Sequence, residues 1–268
     1  MRPLTRALLL VGLLAAVPVR AAAWPAETMT ALSRDARKLL PRSLSRLLGE
    51  REPQVLEELR RFPPDVSRAL AQDLPTGKLR PETVEALQAQ VSRVVELLRE
   101  GQVESGLVRL GGLLRISADL ADPVLTAGPE GWPPGVTREY YALFVANLHR
   151  MPVVLDDPAA LKLSRRDLPA YWQSLLERSR PQVPVIREEL FRDGRVVDHR
   201  RLDYRSPAWA VSSLAYSRAV TGAAATWLAA WRESRGDTTR APRAREVRPE
   251  APGGHLADDR RPPSPEAP

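Results

Sequence analysis

Apolar residues recur at helical spacing in several stretches of the chain, and one of the longest such patterns lies between residues 103 and 128. Within it, apolar side chains fall three or four positions apart, at Val103, Leu107, Leu110, Leu114 and Ala118. This spacing predicts one helix that begins at Val103 and stops at Asp122-Pro123. Proline cannot continue a helix, and it disfavours the helical conformation in the residue before it.

The predicted helix also contains three glycines, Gly106, Gly111 and Gly112. Each glycine costs a helix roughly 1 kcal/mol relative to alanine, so three of them need a structural reason. We expect another helix to pack very close to this one. On the same helix, Arg115 and Asp119 are four positions apart and therefore share a face.

Three further patterns predict helices. Residues 76–100 form an amphipathic pattern with Pro81 in the first turn, and this helix should pack on the 103–122 helix as an antiparallel hairpin across Gly101. Residues 168–190 predict two helices around Pro181. Residues 206–233 predict a buried final helix, with Ser206 as N-cap and Pro207 in the first position.

The rest of the sequence contains no pattern typical of β-strands. Residues 188–202 predict a polar connection in which His199 is exposed, and no β-hairpin, phosphate-binding glycine loop or fixed repeat is indicated. The fold class that follows is all-α, a multi-helix bundle.

The two ends of the chain differ from the rest. Residues 1–23 predict a signal peptide, because Arg2 and Arg6 precede an apolar run and small residues follow at 21–23. An uncleaved membrane anchor is the alternative. Residues 237–268 are rich in proline and charge with almost no large apolar residue, which predicts a disordered tail. The predicted helical domain is therefore 24–236.

The amino-acid composition excludes some classes of function. The chain has no cysteine, which excludes a disulfide framework and lipid attachment through cysteine. The net charge of +7 is spread evenly, without a basic run that is interleaved with stacking aromatics. Specific nucleic-acid binding is therefore not expected. With the predicted signal peptide, the location that we expect is periplasmic or secreted.

The central stretch, LGGLLRISADLADPVLTAG, resembles the central helix of the zinc-dependent phospholipases C and the single-strand-specific zinc nucleases. In that family a histidine and an aspartate four residues later bind zinc from one side of the helix. Here Asp119 matches the aspartate and Pro123 matches a proline of the pattern, but Arg115 stands in the histidine position. Arginine stays protonated and has no lone pair to offer a metal.

Other segments extend the resemblance over residues 24–236. Trp24 would be the mature N-terminus, and in the family the amine and carbonyl of such a tryptophan bind zinc. Pro64-Asp65 matches a Pro-Asp pair that carries a metal ligand, with a helix N-cap as the alternative reading of Asp65. His149 aligns with a histidine ligand of the nucleases, with a surface histidine as the alternative. The candidate metal ligands are Trp24, Asp65, Asp119 and His149.

The family also carries a histidine and a glutamate in a segment that resembles residues 135–141. Thr137 stands where that histidine would be, and Tyr140 and Tyr141 fall near the aromatic and the glutamate. Glu139 is close to this pattern but out of register. A histidine near the family's N-terminus is replaced by Met29, which we expect to fill the core.

The resemblance implies hydrolysis of phosphoric esters by several zinc ions, yet most histidine ligands are missing. We therefore expect a degenerate bacterial member, an exported helical protein without catalysis that binds or supports an envelope partner and needs no cofactor. One alternative is a metal-dependent phosphodiesterase or phospholipase with a reduced zinc site. Another is a protein that associates with a lipid surface through its arginines. Arg115 and Asp119 form either a buried ion pair in place of metal or an ordinary solvated pair.

Overall fold

The computed structural model describes residues 24–237. The predicted signal peptide (1–23) and the predicted disordered tail beyond residue 237 lie outside these residues. The described part of the chain contains twelve α-helices joined by loops and short 3₁₀ turns, which confirms the all-α prediction. The helices are α1 Ala26–Lys38, α2 Arg42–Gly49, α3 Glu52–Arg60, α4 Pro64–Asp73, α5 Pro81–Arg99, α6 Val103–Gly112, α7 Leu114–Ala121, α8 Pro123–Ala127, α9 Val136–Asn147, α10 Leu168–Ser179, α11 Val183–Leu190 and α12 Pro207–Glu233.

The central helix departs from its prediction, because the expected single helix is divided into α6 and α7 at Leu113. The N–H of Leu113 is shared between the carbonyls of Arg109 and Leu110, and the carbonyl of Leu113 accepts from Ile116 three residues on. This tight turn follows the pair Gly111-Gly112, where the helix is weakest. The predicted stop at Asp122-Pro123 is confirmed, and Pro123 begins the short helix α8.

The three glycines of α6 mark close helix contacts, as expected. A Cβ atom at Gly106 would lie 2.6 Å from Leu98 of α5, and one at Gly112 would lie 2.8 Å from Glu58 of α3. A Cβ atom at Gly111 would collide with the side chain of Val55, also in α3. Helices α3 and α5 therefore approach α6 at a distance that only glycine allows.

The other predicted helices are also found, although the helix predicted from residue 76 begins at Pro81. Gly101, with φ of +78°, closes the turn between α5 and α6. Helices α10 and α11 are separated by a 3₁₀ turn at residues 180–182. In α12 the Ser206 hydroxyl caps the helix by accepting the backbone N–H of Trp209 at 3.2 Å.

A short hairpin contradicts the prediction that residues 188–202 form a connection without strands. Strands β1 Phe191–Arg192 and β2 Arg195–Val196 pair antiparallel. Asp193 and Gly194 both have positive φ, at 51° and 72°. An Asp-Gly pair between two strands is a common hairpin turn, so the signal was present in the sequence and was missed.

Helix α12 forms the centre of the core. It packs against α1, α5, α7, α10 and α11, and most of its residues are buried. Helix α7 lies between α12 and α10, so nearly every residue of α7 is buried as well. The Asp119 carboxylate on α7 is thereby held in the protein interior. No helix within residues 24–237 combines the length and apolar character needed to cross a membrane.

Candidate functional site

Trp24 is fixed against α7, which carries Asp119, and against α9. Its indole Nε1 donates a hydrogen bond to the carbonyl of Ala118 on α7 at 2.9 Å. Its ring stands edge-on against Phe144 of α9, with centroids 4.5 Å apart. The beginning of the described chain is therefore packed beside Asp119, the next residue on α7.

Asp119 forms a hydrogen-bonded ion pair with Arg115. The Nε atom of Arg115 donates to Oδ2 of Asp119 at 2.7 Å. The side chain of Asp119 is 8% exposed and that of Arg115 is 26% exposed, so the pair is largely buried rather than solvated. The second carboxylate oxygen, Oδ1, is buried and makes no hydrogen bond within the described part of the chain.

Burial and pairing act in opposite directions on this carboxyl group. Burial raises the pKa of Asp119 above its ordinary value, because it disfavours the charged carboxylate, and the Arg115 guanidinium offsets only part of this rise. The same attraction to Asp119 raises the pKa of Arg115. The arginine therefore keeps its charge, and this charge stabilises a carboxylate that the interior would otherwise neutralise.

A second carboxyl group lies at the junction of α7 and α8. Asp122 is fully buried and caps α8 by accepting the N–H of Val124 at 2.9 Å. Its other oxygen accepts the hydroxyl of Tyr141 from α9 at 2.7 Å. Burial raises the pKa of Asp122 to about 7, against the opposing effect of the Tyr141 hydrogen bond. We call Arg115, Asp119, Asp122 and Tyr141 the junction cluster.

Asp65 and His149 lie elsewhere. Asp65 is exposed in the first turn of α4, and the N-cap of that helix is Pro63. The N-cap alternative for Asp65 is therefore wrong by two positions, although a carboxylate in the first turn still favours the helix. His149 is exposed in the 3₁₀ turn that follows α9.

A different group of ligand-type side chains does converge. Within residues 24–237, Glu139, Asp198 and His199 are the only three His, Cys, Asp or Glu residues whose ligand atoms all lie within 4.8 Å of one another. The expectation that His199 is exposed is wrong, because its side chain is only 18% exposed and is bound to Glu139. We call these three residues the His199 cluster. Asp65, Asp119 and His149 do not belong to it.

The residues around Asp119 do not fit a zinc ion. The partner of its carboxylate is a guanidinium, which repels a cation and has no lone pair to offer. The indole Nε1 of Trp24 is a donor and is already bonded to Ala118. The hydroxyl of Tyr141, near the position of the family's glutamate, is committed to Asp122. These donors are therefore bonded to other groups, and the buried Oδ1 of Asp119, which makes no hydrogen bond within the described residues, is a single carboxylate oxygen rather than a set of zinc ligands.

Comparison with known proteins assigns no family to the chain. No protein-family model matches it, and neither a curated protein nor a solved structure shows significant similarity to it. The likeness to zinc-dependent phospholipases C and zinc nucleases therefore rests on the sequence motifs alone and stays a prediction.

Proposed function

We propose that the protein is an exported, non-catalytic helical protein in which an internal ion pair has taken the place of a catalytic metal centre. Its role is to bind or support a partner in the cell envelope. The observation that carries the proposal is the bond between Arg115 and Asp119, at the two positions that the resemblance assigns to metal ligands.

Charge balance explains why such a replacement is stable. A buried carboxylate needs a compensating charge, since an isolated ion in the interior costs many kcal/mol. Zinc can supply that charge, and so can a guanidinium that donates a hydrogen bond to the carboxylate. Arg115 lies one helical turn before Asp119, so the compensation needs no second element of the fold.

The surroundings of the pair support the same proposal. Asp122 is bonded to Tyr141 and Val124, and Trp24 is bonded to Ala118, so the polar groups that face the junction are paired mostly with one another. A surface groove of about 730 Å³ lies along residues 192–202, and no residue of the junction cluster lines it. The groove therefore gives no access to the positions that the resemblance assigns to catalysis.

The test is a hydrolysis assay on the purified protein with added zinc. The substrates are bis(p-nitrophenyl) phosphate and phosphatidylcholine vesicles, and the comparison is with the Asp119→Asn variant. We expect both proteins to show only the background rate of zinc in buffer, because Asp119 holds no metal. Zinc-dependent hydrolysis that disappears in Asp119→Asn would instead establish the alternative, a phosphodiesterase or phospholipase with a reduced zinc site.

A further inference from the structure

The His199 cluster joins two parts of the chain that are distant in sequence. Glu139 lies in the first turn of α9, and Asp198 and His199 follow the β-hairpin about 60 residues later. The Nδ1 atom of His199 is 2.8 Å from Oε2 of Glu139 and 3.5 Å from Oδ1 of Asp198. The side chains of Glu139 and His199 are mostly buried, while that of Asp198 is 52% exposed.

These distances resemble those within a metal coordination shell. Two ligand atoms bound about 2.0–2.1 Å from one tetrahedral zinc ion are roughly 3.4 Å apart. The two distances from His199 Nδ1 bracket this value, and the ligand atoms of all three side chains lie within 4.8 Å of one another. We propose that Glu139, Asp198 and His199 bind a zinc ion that ties α9 to the segment after the hairpin.

The ligand chemistry selects the class of metal. One imidazole nitrogen with two carboxylate oxygens suits zinc and neighbouring transition metals, whereas magnesium and calcium prefer shells made of oxygen alone. Without metal, the Nδ1 proton of His199 forms the hydrogen bond to Glu139. The ion takes the place of that proton, and the bound ring is a neutral imidazole with its proton on Nε2: a neutral ring moves its proton from Nδ1 to Nε2, whereas an imidazolium releases one proton to solvent. No oxidation state changes.

Neighbouring groups hold the ligands in place. The backbone N–H of His199 donates to Oε2 of Glu139 at 3.2 Å, and the backbone N–H of Arg200 donates to Oδ1 of Asp198 at 2.9 Å. The hydrogen bond from His199 also lowers the pKa of Glu139, which keeps the carboxylate ionised. Because Asp198 is half exposed, water can complete the shell.

One neighbour opposes the metal. Arg138 donates to Oε1 of Glu139 at 3.1 Å, and its own side chain is 79% exposed. A cation at this distance weakens the binding of a second cation, but an exposed charge is well screened. Removing the Arg138 guanidinium should therefore increase zinc affinity modestly, because it removes a positive charge and none of the three ligands.

The test is a titration of the full chain with Co²⁺ and with Zn²⁺ at pH 7.5. Cobalt reports a tetrahedral site by its visible absorption, and calorimetry gives the zinc stoichiometry. We expect one equivalent of either ion, with affinity reduced more than about 100-fold in His199→Gln, since loss of a supporting residue alone costs 10- to 100-fold. The matched control is His149→Gln, an exposed histidine outside the cluster, which should bind as the unaltered protein does.

Two further variants make the outcome decisive. Arg138→Gln should bind zinc up to about fivefold more tightly. Asp119→Asn should bind zinc with unchanged affinity. If zinc binding were lost in Asp119→Asn but kept in His199→Gln, both the proposed function and this inference would be contradicted. If cobalt gives no tetrahedral absorption and His199→Gln titrates like the unaltered protein, the cluster is an ion pair without a metal and the inference is wrong. Circular dichroism of each variant tests whether it is folded.

Discussion

The junction cluster and the His199 cluster each include one residue of α9, because Tyr141 and Glu139 are two residues apart on this helix. Each brings two carboxyl groups together with one basic side chain. In the junction cluster the carboxyl groups are buried and the basic group is a guanidinium. In the His199 cluster Asp198 is half exposed and the basic group is an imidazole.

The difference decides which cluster can exchange its partner for a metal ion. A guanidinium keeps its protons and has no lone pair, so Arg115 cannot become a metal ligand and its charge opposes metal binding. An imidazole can release a proton near neutral pH and present a lone pair in its place. Exposure adds to this contrast at one residue, because the half-exposed Asp198 can be solvated when its contact with His199 is broken, whereas Asp119 and Asp122 are buried.

The largest expected effect is on stability in the junction cluster. Replacing Arg115 by alanine leaves a buried carboxylate unpaired, which should lower the free energy of unfolding by about 3 kcal/mol. Urea unfolding at pH 7 measures this. The matched control is Arg138→Ala, because Arg138 also pairs with a carboxylate but is exposed, and it should cost less than about 1 kcal/mol. Equal losses in the two variants would contradict the contrast between the regions.

A smaller effect is expected on the pH dependence of stability. The pKa of Asp122 is about 7 in the folded protein and near its ordinary value of 3.8 when unfolded. Its contribution is therefore complete below pH 4 and is lost as the pH rises through 7. Between pH 5 and pH 7 the unaltered protein should lose about 2 kcal/mol of stability that Asp122→Asn does not lose. Urea unfolding curves at several pH values give the slope of the unfolding free energy against pH for each of the two proteins.

Parallel profiles of stability against pH in the unaltered protein and in Asp122→Asn would contradict this prediction. In that case Asp122 stays ionised across the range, and the hydrogen bond from Tyr141 outweighs the cost of burial.

The smallest effect is expected in the His199 cluster without metal. His199→Gln, in the presence of a chelator, should lower the free energy of unfolding by no more than about 1 kcal/mol, because the backbone N–H of residue 199 and the Arg138 side chain still donate to Glu139. His149→Gln should leave stability unchanged, since His149 is exposed. Thermal unfolding of both variants provides the measurement, and a loss as large as that of Arg115→Ala would show that the cluster is part of the core.

Local signals in the sequence account for most of the helices. Pro123 and the Ser206-Pro207 pair mark a helix stop and a helix start that the structure confirms, because capping depends on a few adjacent residues. The helix predicted from residue 76 begins only at Pro81. The glycines of α6 correctly predict close packing. The division at Leu113 was missed, since apolar periodicity continues through it, and the Asp193-Gly194 turn was overlooked.

The two clusters could be predicted only in part. Arg115 and Asp119 share a helix, so their spacing alone predicts a contact. Asp122 meets Tyr141, and Glu139 meets His199, across separate elements that the sequence does not place beside each other. Such contacts depend on how α9 packs against α8 and the segment after the hairpin. Asp122 before Pro123 was a recognisable cap signal, but nothing local indicates its burial.

One measurement separates the two regions: the zinc content of the His199→Gln variant, determined by mass spectrometry after equilibration with zinc and removal of the free ion. We expect less than about a tenth of an equivalent, because the junction cluster is closed by Arg115 and offers no set of ligands. A full equivalent or more, lost on further replacement of Asp119 by asparagine, would show that the junction cluster is a metal site and that Arg115 does not close it.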